Sequence, residues 1–81
     1  MRKIGIIDYG VNNISSVAKA LDKIRIPYEF VQDSKTSEKF SHLILPGVGA
    51  FDEGCNNLKK TGLYEAIHKA VEKGACLLGI C

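Results

Sequence analysis

The residue best suited to nucleophilic chemistry in this 81-residue sequence is a cysteine that follows an apolar run. Cys81 comes directly after Cys76-Leu77-Leu78-Gly79-Ile80, a run typical of a strand covered on both faces. Taken alone, such a cysteine is more often a small buried hydrophobe than a nucleophile. In a tight turn from a strand into a helix, the sulfur would be exposed and the helix N-terminus would favour its thiolate. We therefore predict that Cys81 is a catalytic nucleophile.

A proline and two glycines form the second candidate segment, Pro46-Gly47-Val48-Gly49. As an isolated match, it is most simply a turn that ends a strand. The functional interpretation concerns the backbone, because Gly47 and Gly49 let the main chain approach a ligand and turn a peptide N–H toward a developing oxyanion. We predict that the donor is the backbone N–H of Val48.

The third candidate segment is the polar turn Asp8-Tyr9-Gly10-Val11-Asn12-Asn13, which follows an apolar run. It has one glycine where the dinucleotide-binding fingerprint needs three, so it does not predict a nucleotide site. Asp8 and Asn13 are explained equally well as turn and helix-cap residues or as members of a site.

Two histidines could serve as the base that a cysteine nucleophile needs. His42 precedes a predicted strand and would lie at the wrong end of it, whereas His68 lies on a predicted helix among charged residues. We predict that both are surface or half-buried residues without a catalytic role.

The remaining pattern predicts elements that bring the three segments together. Apolar runs predict strands over 4–7, 28–31, 43–45 and 76–80. Helical spacing predicts one helix that buries Ile14, Val17, Ala18, Leu21 and Ile24 and ends before Pro27, and another that buries Leu63, Ile67, Ala70 and Val71 and is capped near Gly74. This order predicts an α/β fold, an open parallel sheet with helices on both faces, in which ligands bind beyond the carboxyl ends of the strands.

Composition places the chain among ordinary globular proteins. It is 46% hydrophobic and 25% charged, and its eleven Lys and Arg residues are scattered among nine acids, so neither disorder nor nucleic-acid binding is indicated. No apolar stretch approaches the ~20 residues that span a bilayer. Three cysteines without CxxC spacing predict free thiols and neither a disulfide nor a metal site. We expect a cytoplasmic protein without a cofactor.

Together these residues resemble the class I glutamine amidotransferases, a flavodoxin-like family, and within them the glutaminase subunits of imidazole glycerol phosphate synthases. The resemblance is carried by Ile6-Ile7-Asp8-Tyr9-Gly10, by Asn13, by Leu45-Pro46-Gly47-Val48-Gly49-Ala50-Phe51 and by Leu78-Gly79-Ile80-Cys81. The Pro-Gly-Val-Gly loop is the most discriminating of these motifs. One departure is Asn12, where the family mostly has glycine.

The resemblance implies a mechanism and a partner. Cys81 would attack the side-chain amide of glutamine to form a glutamyl thioester, with the backbone N–H groups of Val48 and of the residue after Cys81 holding the oxyanion. Ammonia would pass to a cyclase subunit in histidine biosynthesis. The interface with that subunit would include Asp8, Tyr9, Gly10, Asn12 and Asn13.

The resemblance covers less than half of the family's domain, and the catalytic histidine and its glutamate would lie downstream. We therefore expect residues 1–81 to be the amino-terminal part of a single amidotransferase domain, cut at the nucleophile and inactive alone. Two alternatives stay open: a non-catalytic α/β binding module with structural cysteines, and a flavodoxin-like nucleotide binder.

Overall fold

The computed structural model describes residues 3–10, 14–33, 39–47 and 58–80. Its elements are β1 (Ile4–Ile7), α1 (Ile14–Lys23), β2 (Glu29–Val31), β3 (His42–Pro46), α2 (Leu63–Glu72) and β4 (Cys76–Ile80). A helical turn over residues 58–60 precedes α2. The predicted order of strands and helices is thus confirmed, although β3 is longer than predicted and includes Pro46.

All four strands lie in one parallel sheet in the order β2-β1-β3-β4. β1 is central, as its continuous apolar run predicts, and pairs with β2 through Ile7 and Val31 and with β3 through Ile6 and Ile44. β3 and β4 are paired from His42 and Cys76 to Pro46 and Ile80. The predicted open parallel sheet is confirmed.

The two faces of the sheet are covered by different helices. Successive residues of a strand point to opposite faces, so Ile6 and Ile7 belong to separate clusters. Ile6 packs with Ile44 and with Val17 and Ala18 of α1. The cluster on the other face contains Ile7, Tyr9, Val31, Phe40, Leu43, Leu58, Leu63, Ile67 and Ala70, the last three from α2. Helices therefore lie on both faces, as predicted.

β4 differs from the strand that its sequence predicts. A continuous apolar run is typical of a strand covered on both faces, yet Cys76, Leu77 and Leu78 are all exposed, the two leucines by 44% and 57%. They are neighbours in sequence, so both faces of the strand are open. The prediction of burial is therefore wrong for Cys76, Leu77 and Leu78.

The end of α1 also differs from the prediction. The helix ends at Lys23, four residues before Pro27, and Ile24 is 63% exposed instead of continuing the buried face. The N–H of Ile26 bonds to the carbonyl of Leu21 at 3.0 Å and that of Arg25 to Asp22 at 3.1 Å, the pattern of a Schellman motif. Arg25 occupies the left-handed position of this motif, with φ of 59°.

α2 also ends in a Schellman motif, and here a glycine occupies the left-handed position. Ala75 N–H bonds to Ala70 O at 2.9 Å and Gly74 N–H to Val71 O at 3.0 Å, while Gly74 has φ of 105°. The prediction that Gly74 caps this helix is confirmed. Val71, however, is 44% exposed and does not belong to the buried face.

Arg25 and Gly74 occupy the same left-handed position at the ends of α1 and α2. We therefore expect that placing glycine at position 25 stabilises the protein, whereas removing glycine from position 74 destabilises it. Left-handed backbone costs an L-residue roughly 1–2 kcal/mol, offset by about 0.4–1 kcal/mol because glycine makes the unfolded chain more flexible. We expect Arg25→Gly to raise the free energy of unfolding by about 0.5 kcal/mol and Gly74→Ala to lower it by about 1 kcal/mol. A methyl group at Gly74 would meet no atom within 4 Å, so the loss would come from φ alone. Denaturant unfolding measures both, and a loss of stability in Arg25→Gly would contradict this account.

Candidate functional site

The carboxyl ends of the strands form one edge of the sheet, where the three candidate segments were expected to meet. Asp8 follows β1, Gln32 follows β2 and Gly47 follows β3. Pro46 pairs with Ile80, so β3 and β4 end side by side. The predicted site residues Asp8, Tyr9, Gly10 and Gly47 are described, and Asn12, Asn13, Val48, Gly49 and Cys81 lie outside the described residues.

Asp8 joins the ends of β1 and β2. Its N–H donates to the carbonyl of Val31 at 2.9 Å, which continues the strand pairing by one residue. Its carboxylate accepts a hydrogen bond from Nε2 of Gln32 at 2.8 Å. Gln32 was not predicted to belong to the site. It follows a short strand and belongs to no recognisable motif, so the sequence did not indicate its contact with Asp8. Together the two side chains hold the start of the turn after β1.

Tyr9 lies beneath this edge and not on its surface. Its side chain is 5% exposed and packs in the cluster that α2 covers. Its hydroxyl donates a hydrogen bond to the backbone carbonyl of Pro46, a residue 37 positions away in sequence. Gly10, which follows Tyr9, has a φ of 94° and is exposed. The ring of Tyr9 therefore connects the turn after β1 to the end of β3.

Pro46 and Gly47 set the direction in which the second candidate segment leaves the sheet. Pro46 is fully buried at the end of β3, and Gly47 is partly exposed beside it. Pro46 has no N–H to donate to the strand ladder, and it is the last residue of β3. The chain thus enters the glycine-containing loop from a fixed, buried position.

Both histidines lie away from this edge. His42 begins β3 at the amino edge, where it pairs with Ile4 and Cys76 and its Nδ1 lies 2.8 Å from Oγ of Ser41. His68 is exposed on α2, with its ring 4.8 Å from that of Tyr64. As predicted, His42 is half-buried and His68 is exposed, and His42 lies at the end of β3 opposite to the carboxyl edge.

A cavity of about 200 Å³ also lies at the amino edge, between the segment before β3 and the end of α2. It is lined by Phe40, Ser41, Lys69, Ala70, Lys73, Gly74 and Ala75. None of these residues was predicted to belong to the site. Within the described ranges, no three His, Cys, Asp or Glu residues cluster as metal ligands, and neither helix could cross a membrane.

Comparison with known proteins gives a consistent set of relatives. The chain is 50% identical over 78 residues to the "imidazole glycerol phosphate synthase subunit HisH" of Geobacillus kaustophilus, 48% identical over 81 residues to that of Moorella thermoacetica and 44% identical over 78 residues to that of Bacillus subtilis. These alignments cover 96%, 100% and 96% of the chain, respectively. The chain spans only 37–39% of the length of these curated relatives. No family model matches it.

Because Gln32 bonds to the carboxylate of Asp8, we expect that replacing Gln32 by glutamate lowers the free energy of unfolding, and that the loss depends on pH. Gln32→Glu would place a second carboxylate within hydrogen-bonding distance of Asp8, which costs on the order of 1 kcal/mol near the surface at neutral pH. The repulsion raises the pKa of the new carboxyl in the folded state, so the variant regains stability as pH falls through that pKa and loses it as pH rises.

The control for this prediction is Gln32→Met, which removes the hydrogen bond without adding charge and should lose less stability than Gln32→Glu at pH 7. Denaturant unfolding at pH 4 and pH 7 measures both variants. Equal losses for Gln32→Glu at the two pH values would show that the carboxylates do not interact.

Proposed function

We propose that this chain, which is homologous over almost its whole length to HisH subunits of imidazole glycerol phosphate synthases, is the amino-terminal part of a glutaminase domain. The observation that carries the proposal is this similarity, 44–50% identity to curated subunits. The fold supports it independently, because the sheet brings three of the resembling motifs toward one edge. The whole protein would be a glutamine amidotransferase that acts in histidine biosynthesis.

The proposed nucleophile is Cys81, the residue that follows Ile80 in sequence. Because Ile80 is paired with Pro46, β4 ends beside the start of the Pro46–Gly49 loop. A nucleophile and an oxyanion donor must both lie within about 3 Å of one reacting atom, so they need to start from neighbouring strands. This register supports the combination of a Cys81 thiolate with the backbone N–H of Val48.

The reaction would proceed through a covalent intermediate. The thiolate of Cys81 attacks the amide carbon of the glutamine side chain, and the oxyanion that forms accepts hydrogen bonds from Val48 N–H and from the N–H of the residue after Cys81. The carbon–nitrogen bond breaks as a histidine protonates the leaving ammonia. Water then cleaves the thioester, which gives glutamate and restores the thiol. As the family resemblance implies, we propose that this histidine lies outside residues 1–81, because His42 begins β3 at the opposite edge of the sheet.

The proposed partner is the cyclase subunit of the same synthase, which would use the ammonia on a phosphorylated sugar intermediate. The relatives are named as subunits, which implies that each has at least one partner. The turn after β1 supports the site of contact, because Gly10 is exposed at the carboxyl edge next to the end of β3. Asp8, Gly10, Asn12 and Asn13 would form part of this interface, whereas the side chain of Tyr9, which was expected there too, is buried beneath it.

A non-catalytic role is the second candidate for the 81-residue chain taken by itself. The observation that favours it is the position of both histidines, which leaves the carboxyl edge without an imidazole in the described part of the chain. Without a base, a cysteine of ordinary pKa is a weak nucleophile toward an amide. We expect these 81 residues alone to release no ammonia from glutamine.

Replacing the proposed nucleophile should separate the two activities of the complete synthase, which are the release of ammonia from glutamine and the use of ammonia by the cyclase. We expect Cys81→Ala in the full-length subunit to abolish ammonia release from glutamine, because no thioester can form. The complex should still make product from added ammonium salts, because the cyclase needs only free ammonia. Steady-state assays with each nitrogen source measure this. Loss of both activities would indicate that Cys81 has a structural role.

Labelling with a glutamine analogue that carries an electrophilic carbon should identify the reactive thiol. We expect the label on Cys81 in the full-length subunit. Cys76 provides an internal control, since it is an exposed free thiol at the opposite end of β4. Mass mapping of the labelled peptides measures the site, and a label on Cys76 or Cys55 instead of Cys81 would overturn the assignment.

A further inference from the structure

We propose that the cavity at the amino edge of the sheet is a binding site for a small molecule that joins an apolar ring to one anionic group. The cavity has a volume of about 200 Å³ and lies between the end of α2 and the segment before β3. All of its lining residues are among those that the structure describes. The inference goes beyond the proposed function and does not rest on it.

Small residues at the end of α2 create the cavity. Ala75 N–H donates to Ala70 O at 2.9 Å, so the chain reverses its direction tightly after the helix. Ala70, Gly74 and Ala75 carry at most a methyl group, and together they leave space beside Phe40, which also lines the cavity. At Gly74 the space is open, because a Cβ there would meet no atom within 4 Å.

The floor of the cavity is apolar and belongs to the core. Phe40 and Ala70 are both members of the buried cluster that α2 covers, and Ala75 packs against this cluster. Such close-packed residues hold their positions, so the floor does not collapse into the space above it. An apolar cavity of about 150 Å³ is large enough to accept a benzene ring. The volume and the floor therefore favour a ligand with one small ring.

The charged part of the lining is positive. It contains Lys69 and Lys73 and no acidic residue. The helix dipole favours lysine near the carboxyl end of a helix, but it does not neutralise the charge. Among the described residues Lys69 forms no ion pair, although Glu65 and Glu72 lie only four and three positions from it on the same helix. Lys69 can therefore bind an anionic group of a ligand.

The hydroxyl of Ser41, which also lines the cavity, is already committed to the protein. It accepts from the N–H of Lys3 at 3.0 Å, and its own proton has two acceptors, the carbonyl of Lys3 at 3.2 Å and Nδ1 of His42 at 2.8 Å. A neutral ligand would thus gain little beyond the burial of its ring. The ammonium of Lys69 makes the site selective for an anion.

This cavity is separate from the carboxyl edge. Ser41 comes directly before β3, whereas Gly47 directly follows it. The five residues of β3 extend over about 15 Å, so a ligand at one end does not reach the other. We therefore expect the ligand to bind without competing with glutamine.

The test uses benzoate as the probe, in a titration of the full-length subunit followed by the amide signals in NMR spectra. We expect the signals of Ala70, Gly74 and Ala75 to shift and to saturate with a Kd on the order of 1 mM, as for a ligand of this size. Benzamide has the same shape without the charge and should bind about fivefold more weakly, which corresponds to one charge pair near the surface. Acetate has the charge without the ring and should cause no saturable shift.

Two variants of equal charge change test the role of the ammonium. Lys69→Gln should weaken benzoate binding about fivefold, to the level of benzamide. Lys19→Gln, on the helix that covers the other face of the sheet, should bind benzoate as the wild type does. Circular dichroism confirms that both variants are folded at the temperature of the titration.

Several outcomes would overturn the inference. These are the absence of saturable shifts with benzoate, equal affinities for benzoate and benzamide, unchanged benzoate binding in Lys69→Gln, and shifts confined to the carboxyl edge at Asp8, Gln32 and Gly47. A full-length subunit that binds benzoate as expected but releases no ammonia from glutamine in its complex would instead overturn the proposed function and support this inference.

Discussion

The parallel pairing of β1 with a strand on each side is the constraint on which the rest of the structure depends. It aligns the carboxyl ends of β2, β1 and β3, so that Gln32, Asp8 and Gly47 follow each other along one edge. Strand pairing within the sheet places the start of each of these segments, and the hydrogen bond between the Gln32 and Asp8 side chains then joins two of them. The site can therefore vary in its side chains while the directions of the three loops stay fixed.

Because β1 has a strand on each side, its own side chains are covered by apolar residues on both faces of the sheet. Ile6 and Ile7 show this cover in two successive residues, since the first packs against α1 and the second lies in the cluster that α2 completes. Tyr9 continues the second cluster beyond the end of β1 and brings a hydroxyl into it. A polar group is acceptable there because the hydroxyl donates a hydrogen bond to the carbonyl of Pro46.

Much of the fold was predictable because it depends on local patterns. Apolar runs predicted the strands, and helical spacing predicted which residues of α1 face the sheet as far as Leu21. The errors arose where geometry overrides the pattern: Ile24 continues the helical spacing, but the left-handed backbone at Arg25 has already ended the helix. Val71 fits the spacing of α2 but lies at the margin of its buried face.

For the site, the sequence indicated which loops converge but not what joins them. That convergence follows from topology alone, whereas the contacts Gln32 to Asp8 and Tyr9 to Pro46 link residues 24 and 37 positions apart. No periodicity within a strand or helix carries information over such distances. The tyrosine in particular was expected at the partner-facing turn, and nothing in its neighbours indicated that its ring would turn inward.

The open strand β4 has a consequence for handling the chain in solution. Its five residues include no charge and no proline, and its outer edge in the sheet pairs with no described strand. Natural proteins usually protect such an edge with lysine, proline or a bulge, because an unpaired apolar edge can recruit strands from other molecules. Among the described residues, Cys76–Ile80 is therefore a segment through which two copies of the chain could associate edge to edge.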